Sequence, residues 1–195
     1  MKLNEKMKPI IFSTPMVQAI LEGRKTMTRR VVKPQPKVCK EVSSIKRHSN
    51  PACKNWLAET NNGGTIGIVN IKSKYEPGDI LWVRETWNQD PISYLYKADY
   101  GLIYKYQTWK PSIYMPRAAA RIFLRVTDVR VERLQDISEA DALNEGCDGE
   151  IAGTISIKPI EEYKALWDSI NGKRGGAYKW DSNPWVWVIE FERVR

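Results

Sequence analysis

Apolar side chains recur at helical spacing in three segments of the chain. They are residues 13–23 (STPMVQAILEG), 136–146 (DISEADALNEG) and 158–172 (KPIEEYKALWDSING). Proline lies in the first turn of the first and third segments, a Ser-x-x-Asp capping box opens the second, and glycine ends all three. The pattern therefore predicts three separate helices.

Four other segments have the β-branched, aromatic or alternating residues of strands. They are residues 64–75, 78–87, 121–134 and 183–195, with a shorter candidate at 94–100. Within 121–134 the apolar positions change parity near Thr127, which predicts a bulge or bend.

Strands interrupted by separate helices, without strand–helix–strand alternation, predict an α+β fold. The most economical arrangement is a small β-barrel with helices packed against it. At 195 residues the chain is the length of one domain, spanning residues 1–195. Residues about 33–64 are rich in Pro, Lys, Ser and Asn without clear periodicity, and we expect them to form a long loop insertion after the first helix.

The net charge of the chain indicates which kind of partner the protein binds. Lysine and arginine number 31 against 23 acidic residues, a net charge of +8. Such a surface favours polyanions, so nucleic acid or a nucleotide is the first partner to consider. No apolar run approaches the ~20 residues of a membrane span, and the N-terminal residues lack the apolar core of a secretory signal. We therefore expect a cytoplasmic protein that does not bind a membrane.

The three cysteines and the single histidine do not match a known metal-site pattern. Cys39, His48 and Cys53 have the spacing C-x8-H-x4-C, which fits no zinc ribbon or finger and lacks an evident fourth ligand. With Cys147 the cysteine count is odd, which favours reduced thiols over a disulfide framework. We expect neither a metal nor a cofactor, and the role of the Cys39–Cys53 segment stays open.

Residues 23–30, GRKTMTRR, directly follow the first predicted helix and concentrate positive charge. Lys25 and Thr28 can meet only if the chain turns after Gly23, because an extended strand places them on opposite sides. A hydroxyl beside a lysine of lowered pKa is a plausible nucleophile and base. The alternative is a basic loop whose threonine hydroxyls bond to the backbone. Phosphate or carbonyl oxygens would be held by the neighbouring arginines, Arg24, Arg29 and Arg30.

Two carboxylates stand in unusual places. Glu145 is predicted at the C-terminal end of a helix, where negative charge is disfavoured unless a cation faces it. Glu85 lies in the apolar strand ILWVRETW and shares the parity of Leu81 and Val83, so it points inward or marks the end of the strand. Either residue can also be a solvated carboxylate with no role.

Tryptophan and tyrosine outnumber phenylalanine by 17 to three, and rings with polar groups suit base stacking. Most of these rings will form the core. Trp87 and Trp109 lie near basic residues and are candidates for a base-contacting face, together with Arg117 in the loop WKPSIYMPRAAAR.

Taken together, GRKTMTRR, PGDILWVRETW, YMPRAAARIFLRVTDVRVERLQDISEADALNEG and the closing NPWVWVIEFERV resemble the ASCH domain proteins, particularly the longer form found in phages and prophages. The resemblance covers nearly the whole chain. It implies a PUA-like fold, a small β-barrel flanked by helices, and a partner that is RNA or a modified nucleotide.

One enzymatic branch of that family, the N4-acetylcytidine amidohydrolases, is similar in a further respect. The family signature G-x-K-x-x-E-x-R reads here as Gly23, Lys25, Thr28 and Arg30, and threonine replaces the glutamate of many members, as it does in that branch. The resemblance implies that Lys25, Thr28 and Glu145 are catalytic in a metal-independent removal of an acyl group from a modified cytidine. The alternative is a module that binds RNA or a modified nucleotide without catalysis.

Overall fold

In a computed structural model of the protein, the described residues are 7–37, 42–49, 55–60, 64–100, 108–151 and 155–194. The strands in these ranges are β1 Lys8–Ile11, β2 Met27–Val31, β3 Val42–Arg47, β4 Trp56–Thr60, β5 Thr65–Val69, β6 Ile80–Arg84, β7 Trp87–Gln89, β8 Tyr94–Tyr96, β9 Phe123–Arg133, β10 Glu150–Ile151, β11 Ile155–Ser156 and β12 Trp185–Arg193. The α-helices are α1 Thr14–Leu21, α2 Lys97–Tyr100, α3 Glu139–Asn144 and α4 Pro159–Asn171.

Strand β9 organises the main sheet because it pairs along both of its edges. One edge is antiparallel to β12, and the other pairs with β6 near the start of β9 and with β3 near its end. Beyond these, β12 pairs with β2, β6 pairs in parallel with β1, and β3 leads to β4 and β5. The β9–β12 register shifts between Glu190 and Phe191, which leaves Thr127 as an extra residue of β9. The predicted bulge near Thr127 is therefore confirmed.

The α+β class is confirmed, but the sheet does not close into the predicted β-barrel. Among the described residues, strand pairing ends at β1, β2 and β5. Strand β9, with 11 residues, is long enough for two different neighbours on one edge, so the sheet branches there. Where a barrel would close, side chains of β1 and β2 line a cleft instead of pairing.

Part of the 33–64 segment belongs to this sheet, so the prediction of a long loop insertion was wrong for β3 and β4. Ile45 of β3 pairs with Val131 of β9, and the ring of Trp56 in β4 packs edge-on against Trp187 at a centroid distance of 5.0 Å. Few apolar residues anchor these strands. Because Lys, Ser and Pro residues surround them, the segment shows no clear alternation of apolar and polar positions from which the strands could be predicted. Cys39 and Cys53 lie outside the described residues.

Strand β12 is buried on both faces because it separates two hydrophobic clusters. Trp187 and Ile189 point into the main core, which the branched sheet forms with α1. Val186 and Val188 point the other way, into a cluster with residues of α3 and α4. The alternation of side chains along a strand thus gives β12 one core on each side.

The three predicted helices are present as α1, α3 and α4. Pro15 and Pro159 lie in the first turns of α1 and α4, and Ser138 and Asp141 form the reciprocal capping box of α3. Within the described ranges, no helix is both long enough and apolar enough to cross a membrane.

Gly146 ends α3 at a point where that helix closely approaches α1. Its φ is +92°, and a Cβ atom there would lie 2.9 Å from Cβ of Ala19 and 3.3 Å from Cβ of Lys25. Glycine is required both by the left-handed conformation and by the lack of space. The close approach brings the end of α3 against Lys25.

We expect Gly146→Ala to lower the free energy of unfolding by about 2 to 4 kcal/mol, because the substitution adds backbone strain and a steric clash. Urea denaturation would measure the loss. Gly172→Ala is the matched control, since Gly172 has a φ of −59° and open space around its Cα, and it should be nearly neutral. Similar losses in the two variants would contradict the close approach.

Candidate functional site

Two helix ends hold Lys25 and Thr26 between them. The amide of Lys25 donates to the carbonyl of Ala19 at 3.0 Å, and the amide of Thr26 donates to the carbonyl of Asn144 at 2.9 Å. Gly23, with a φ of +79°, reverses the chain after α1. This is the turn that the catalytic interpretation of GRKTMTRR required, and it places Lys25 at the C-terminal end of α3.

Lys25 and Glu145 form a buried ion pair. Nζ of Lys25 lies 2.6 Å from Oε2 of Glu145 and donates to the carbonyl oxygen of the same residue at 2.7 Å. The exposed fractions of the two side chains are 0% and 2%. The ammonium group also faces the negative end of the α3 dipole, so the carboxylate at that helix end has the cation it needs.

Burial lowers the pKa of the Lys25 ammonium, and the charge and hydrogen bond of Glu145 offset that effect only in part. A lysine of lowered pKa in a buried cluster is a candidate general base. The nearby Cys147 is a poor alternative nucleophile, because burial raises the pKa of its thiol to about 12. It stays protonated near neutral pH.

The Thr28 hydroxyl lies in the same cluster and is covered by Arg30. Thr28 has no exposed surface. Its Oγ1 accepts a hydrogen bond from Nη1 of Arg30 at 2.7 Å, while Nη2 of Arg30 donates to the carbonyl of Ile11 at 3.1 Å. Both Lys25 and Arg30 lie over the ring of Phe12, at 5.7 and 5.3 Å from its centroid. Among the described hydrogen bonds, none joins Nζ of Lys25 to Oγ1 of Thr28.

Arg29 connects β2 to α3 and β9. Its Nη2 lies 2.9 Å from Asp141 and 3.3 Å from Glu132, and its Nη1 lies 3.6 Å from Oε1 of Glu145. Asp141 is also the acidic member of the α3 capping box. Arg29 therefore holds the start of α3, as Lys25 holds its end.

A cleft of about 830 Å³ lies between β1 and β2 and reaches this cluster. Its walls include Phe12, Arg30 and Glu145, while Lys25 and Thr28 lie behind them. Glu145 is the one carboxylate among the described residues of the lining. The cations of the lining are Arg29, Arg30, Lys33, Lys72, Lys74 and Arg84. An anionic ligand is thus favoured.

Of the sequence-predicted catalytic residues, Lys25 and Glu145 are in direct contact, and Thr28 contacts Arg30 instead. Most of the predicted binding residues do not line the cleft. Arg29 and Arg30 line it. Arg24 is exposed, pairs with Glu22 and donates to the carbonyl of Gly146 at 3.1 Å. It lies beside the cluster, outside the cleft lining.

Glu85 is buried elsewhere in the fold, in a two-bond ion pair with Arg121 at 2.9 and 3.0 Å. Burial raises the pKa of the Glu85 carboxyl, and Arg121 opposes that shift. The guanidinium of Arg121 also lies over the ring of Tyr96, at 3.9 Å from its centroid. This pair fastens the end of β6 to the residues before β9.

The remaining three predicted binding residues lie away from the cleft. Trp87 is buried against Met115 in a small apolar cluster, which excludes it as a base-contacting ring. Trp109 is half-buried beside the Trp87–Lys110 bridge, and Arg117 is exposed near Met7. Proximity to basic residues in the sequence therefore did not identify the rings and cations that line the cleft.

Sequence reasoning missed Phe12 and the cations of the cleft mouth, Lys33, Lys72, Lys74 and Arg84. Lys72 and Lys74 carried a usable signal, since alternate positions of an extended segment point to one side. Nothing local connects them with Lys33 or Arg84, which only the fold brings to the same cleft.

No family model matches the chain, and no curated protein matches it. Among solved structures, the chain is similar to the crystal structure of protein EF3133 from Enterococcus faecalis V583, of the family model DUF984. The TM-score is 0.47 and the identity 12%, over 99% of this chain and 84% of that one. A likeness at this level carries no argument about function.

We expect Lys25→Met to lower the free energy of unfolding by about 3 to 5 kcal/mol, because the buried Glu145 carboxylate loses its nearest cation and keeps only the longer contact with Arg29. Urea denaturation would measure this. Adding Glu145→Leu to the same chain should restore much of the loss.

Lys46→Met is the matched control. Lys46 and Glu59 have the same N–O distance, 2.6 Å, but Lys46 is 65% exposed, so stability should hardly change. If Lys25→Met were no more destabilising than Lys46→Met, the Lys25–Glu145 pair would not be buried as described.

Proposed function

We propose that the protein is an ASCH-type amidohydrolase that removes an acyl group from the N4 nitrogen of a modified cytidine. The observation that carries this proposal is the buried Lys25–Glu145 pair, whose carboxylate lines a cationic cleft. Arg30, which donates to the Thr28 hydroxyl, lines the same cleft. Lys25 and Glu145 are 120 positions apart in the chain. Their convergence supports amide hydrolysis, which needs a nucleophile, a base and a charged partner within one site. The Thr28 hydroxyl, which is bonded to Arg30 of the same cleft, is the nucleophile that we assign.

Lys25 is the general base of this proposal. Its lowered pKa increases the fraction of neutral amine, the form that accepts a proton. Glu145 orients that amine through the 2.6 Å contact and stabilises the ammonium ion once Nζ has taken a proton. Glu145 is thus a positioning partner for Lys25.

Thr28 supplies the attacking oxygen or positions a water that attacks. The hydrogen bond from the Arg30 guanidinium favours the deprotonated form of the Thr28 hydroxyl. In the direct route Oγ1 bonds to the acyl carbon, the C–N bond breaks, and Lys25 returns the proton to the leaving amine. Water then hydrolyses the acyl–threonine ester.

Arg30 is the donor that we assign to the oxyanion of the tetrahedral intermediate. It both bonds Thr28 and lines the cleft, so it lies between the hydroxyl and an incoming substrate. A well-placed donor of this kind contributes roughly 3 to 4 kcal/mol to the transition state.

A module that holds a modified base without turnover is the second candidate. One observation favours it: Thr28 has no exposed surface, and Arg30 covers its hydroxyl. Hydrolysis requires the Arg30 side chain to move from this position, whereas binding in the cleft does not.

The hydrolase proposal predicts release of the deacetylated base from free N4-acetylcytidine, from a short single-stranded RNA containing it, or from both. Chromatography would follow the product. Thr28→Val keeps the shape of the side chain without its hydroxyl and should lower kcat by at least about 100-fold. Thr28→Ser, which keeps a hydroxyl, should retain more activity than Thr28→Val.

Full activity in Thr28→Val would exclude Thr28 as nucleophile. If the folded wild type released no product from either substrate, the hydrolase proposal would be wrong. Binding of the acetylated RNA without release would then support the second candidate.

The rate should depend on pH in the direction set by Lys25. Because neutral Lys25 is the active form, kcat should rise with pH and level off at a pKa below that of an ordinary lysine. Glu145 raises the pKa of Lys25, so Glu145→Gln should move the inflection to lower pH. Measuring kcat across about pH 5 to 11 would test this, and a rate that falls with rising pH would contradict the role of Lys25.

A further inference from the structure

We propose that Lys33, Lys72 and Lys74, which we call the lysine shelf, form a phosphate-binding surface at the mouth of the cleft. The modified base would then enter the cleft from a single nucleic-acid strand whose backbone lies on the shelf. The substrate class named here rests on the proposed function, whereas the shelf is argued from charge and geometry alone.

The charges of the shelf are not offset by acidic side chains in the part of the chain that the structure describes. All three lysines are exposed, and among the described residues none of them pairs with an acidic side chain. Nζ of Lys33 lies over the ring of Tyr178 at 4.9 Å, and Nζ of Lys74 lies over the ring of Tyr75 at 5.1 Å. The deeper Arg29, in contrast, faces three carboxylates. A ligand on the shelf therefore meets positive charge that only the ligand offsets.

The part of the shelf that precedes β6 is held in place by contacts with β1. Tyr75 is buried and its hydroxyl donates to the carbonyl of Pro9 at 2.8 Å, while Ser73 Oγ donates to the carbonyl of Tyr75 at 2.6 Å. Lys74 also donates to the Pro9 carbonyl, at 3.3 Å, which leaves two of its three donor hydrogens for a ligand. Lys72 and Lys74 are thus presented from a fixed segment.

The number and spread of the cations distinguish a strand from a smaller ligand. A nucleoside carries no phosphate, and a mononucleotide carries one phosphate group. The shelf draws on two separate segments, and Arg84 adds a cation from the end of β6. We therefore assign the shelf to several phosphates, as a strand carries them, because its cations come from separate segments of the chain.

The depth of the cleft favours a single strand over a duplex. Glu145 and Arg30 line the cleft in front of Lys25 and Thr28, so a reacting base must leave any stack to reach them. Unpaired bases make that movement at the least cost.

An exposed aromatic ring stands next to the cleft lining. Ser112 lines the cleft, and Tyr114, two residues further in the same 3-10 turn, is 72% exposed. Arg84 of the cleft lining anchors this turn by donating to the carbonyl of Ile113. A ring beside cations is typical of surfaces that stack the bases of a strand, and we assign Tyr114 to a neighbouring base.

The test is binding of a fluorescent single-stranded RNA containing one N4-acetylcytidine, measured by anisotropy over a range of salt concentrations. The protein carries Thr28→Val, so that turnover does not interfere. Replacing the shelf by Lys33→Gln, Lys72→Gln and Lys74→Gln should weaken binding at least tenfold. It should also reduce the slope of log affinity against log salt by about 2, since each single-strand phosphate contact contributes about 0.7.

The matched control replaces three exposed lysines outside the cleft lining, as Lys46→Gln, Lys97→Gln and Lys158→Gln. It removes the same charge, so equal losses in the two triple variants would overturn the shelf as a specific surface. Tyr114→Ala should weaken binding about tenfold with the salt slope unchanged.

Turnover separates this inference from the proposed function. In the protein with Thr28 intact, kcat/KM should rise from the free nucleoside to its 5′-monophosphate and rise further to the RNA. In the shelf variant, the ratio of kcat/KM for the RNA to that for the nucleoside should fall at least tenfold. Hydrolysis of all three substrates with equal kcat/KM would contradict the binding of a nucleic-acid strand on the shelf. It would leave the proposed hydrolase activity supported. Salt-sensitive RNA binding that needs the shelf, without turnover of any substrate, would support the shelf and overturn the hydrolase.

Discussion

The burial of two cations beside β2 is the constraint on which the arrangement of the site depends. The side chains of Lys25 and Arg29 have no exposed surface, and an unpaired charge in such a place costs several kcal/mol. Helix α3 compensates both charges, with Asp141 near its start facing Arg29 and Glu145 at its end facing Lys25. Because these carboxylates lie more than a hundred positions further along the chain, charge pairing fixes α3 against β2 and assembles the site in the same step.

The sheet fails to close at the place where the cleft lies. The described strand pairing ends at β1 and β2, and the cleft is lined by residues of both strands. In a closed barrel that space would be filled by a ladder of backbone hydrogen bonds. Here Arg30 reaches from β2 to the Ile11 carbonyl of β1, so a side-chain hydrogen bond lies where a closed barrel would have a ladder. A side chain moves more readily than a paired strand, so the cluster behind Arg30 is less firmly closed than the inside of a barrel would be.

Local signals in the sequence predicted those features that depend on nearby residues. The capping box of α3, the turn at Gly23 and the bulge at Thr127 each follow from a few adjacent positions, and each is present. The unusual place of Glu145 at a helix end indicated that a cation faces it, and Lys25 is that cation. The catalytic roles of Lys25, Thr28 and Glu145 stay a prediction. Strands β3 and β4 escaped prediction because their stability comes from distant partners such as Val131 and Trp187. The cations of the cleft mouth were not predicted for the same reason, since only the tertiary fold brings Lys33 and Lys74 to one surface.

An open sheet edge usually invites other strands, and the unpaired side of β1 is protected against this. The Pro9 carbonyl accepts hydrogen bonds from Tyr75 and Lys74, and the Ile11 carbonyl accepts one from Arg30. Proline also has no N–H group to offer. An incoming strand would find these carbonyls occupied and a donor missing, which blocks extension of the sheet by a second molecule. The unpaired side of β1 therefore stays open in the sheet without presenting a template for a second strand.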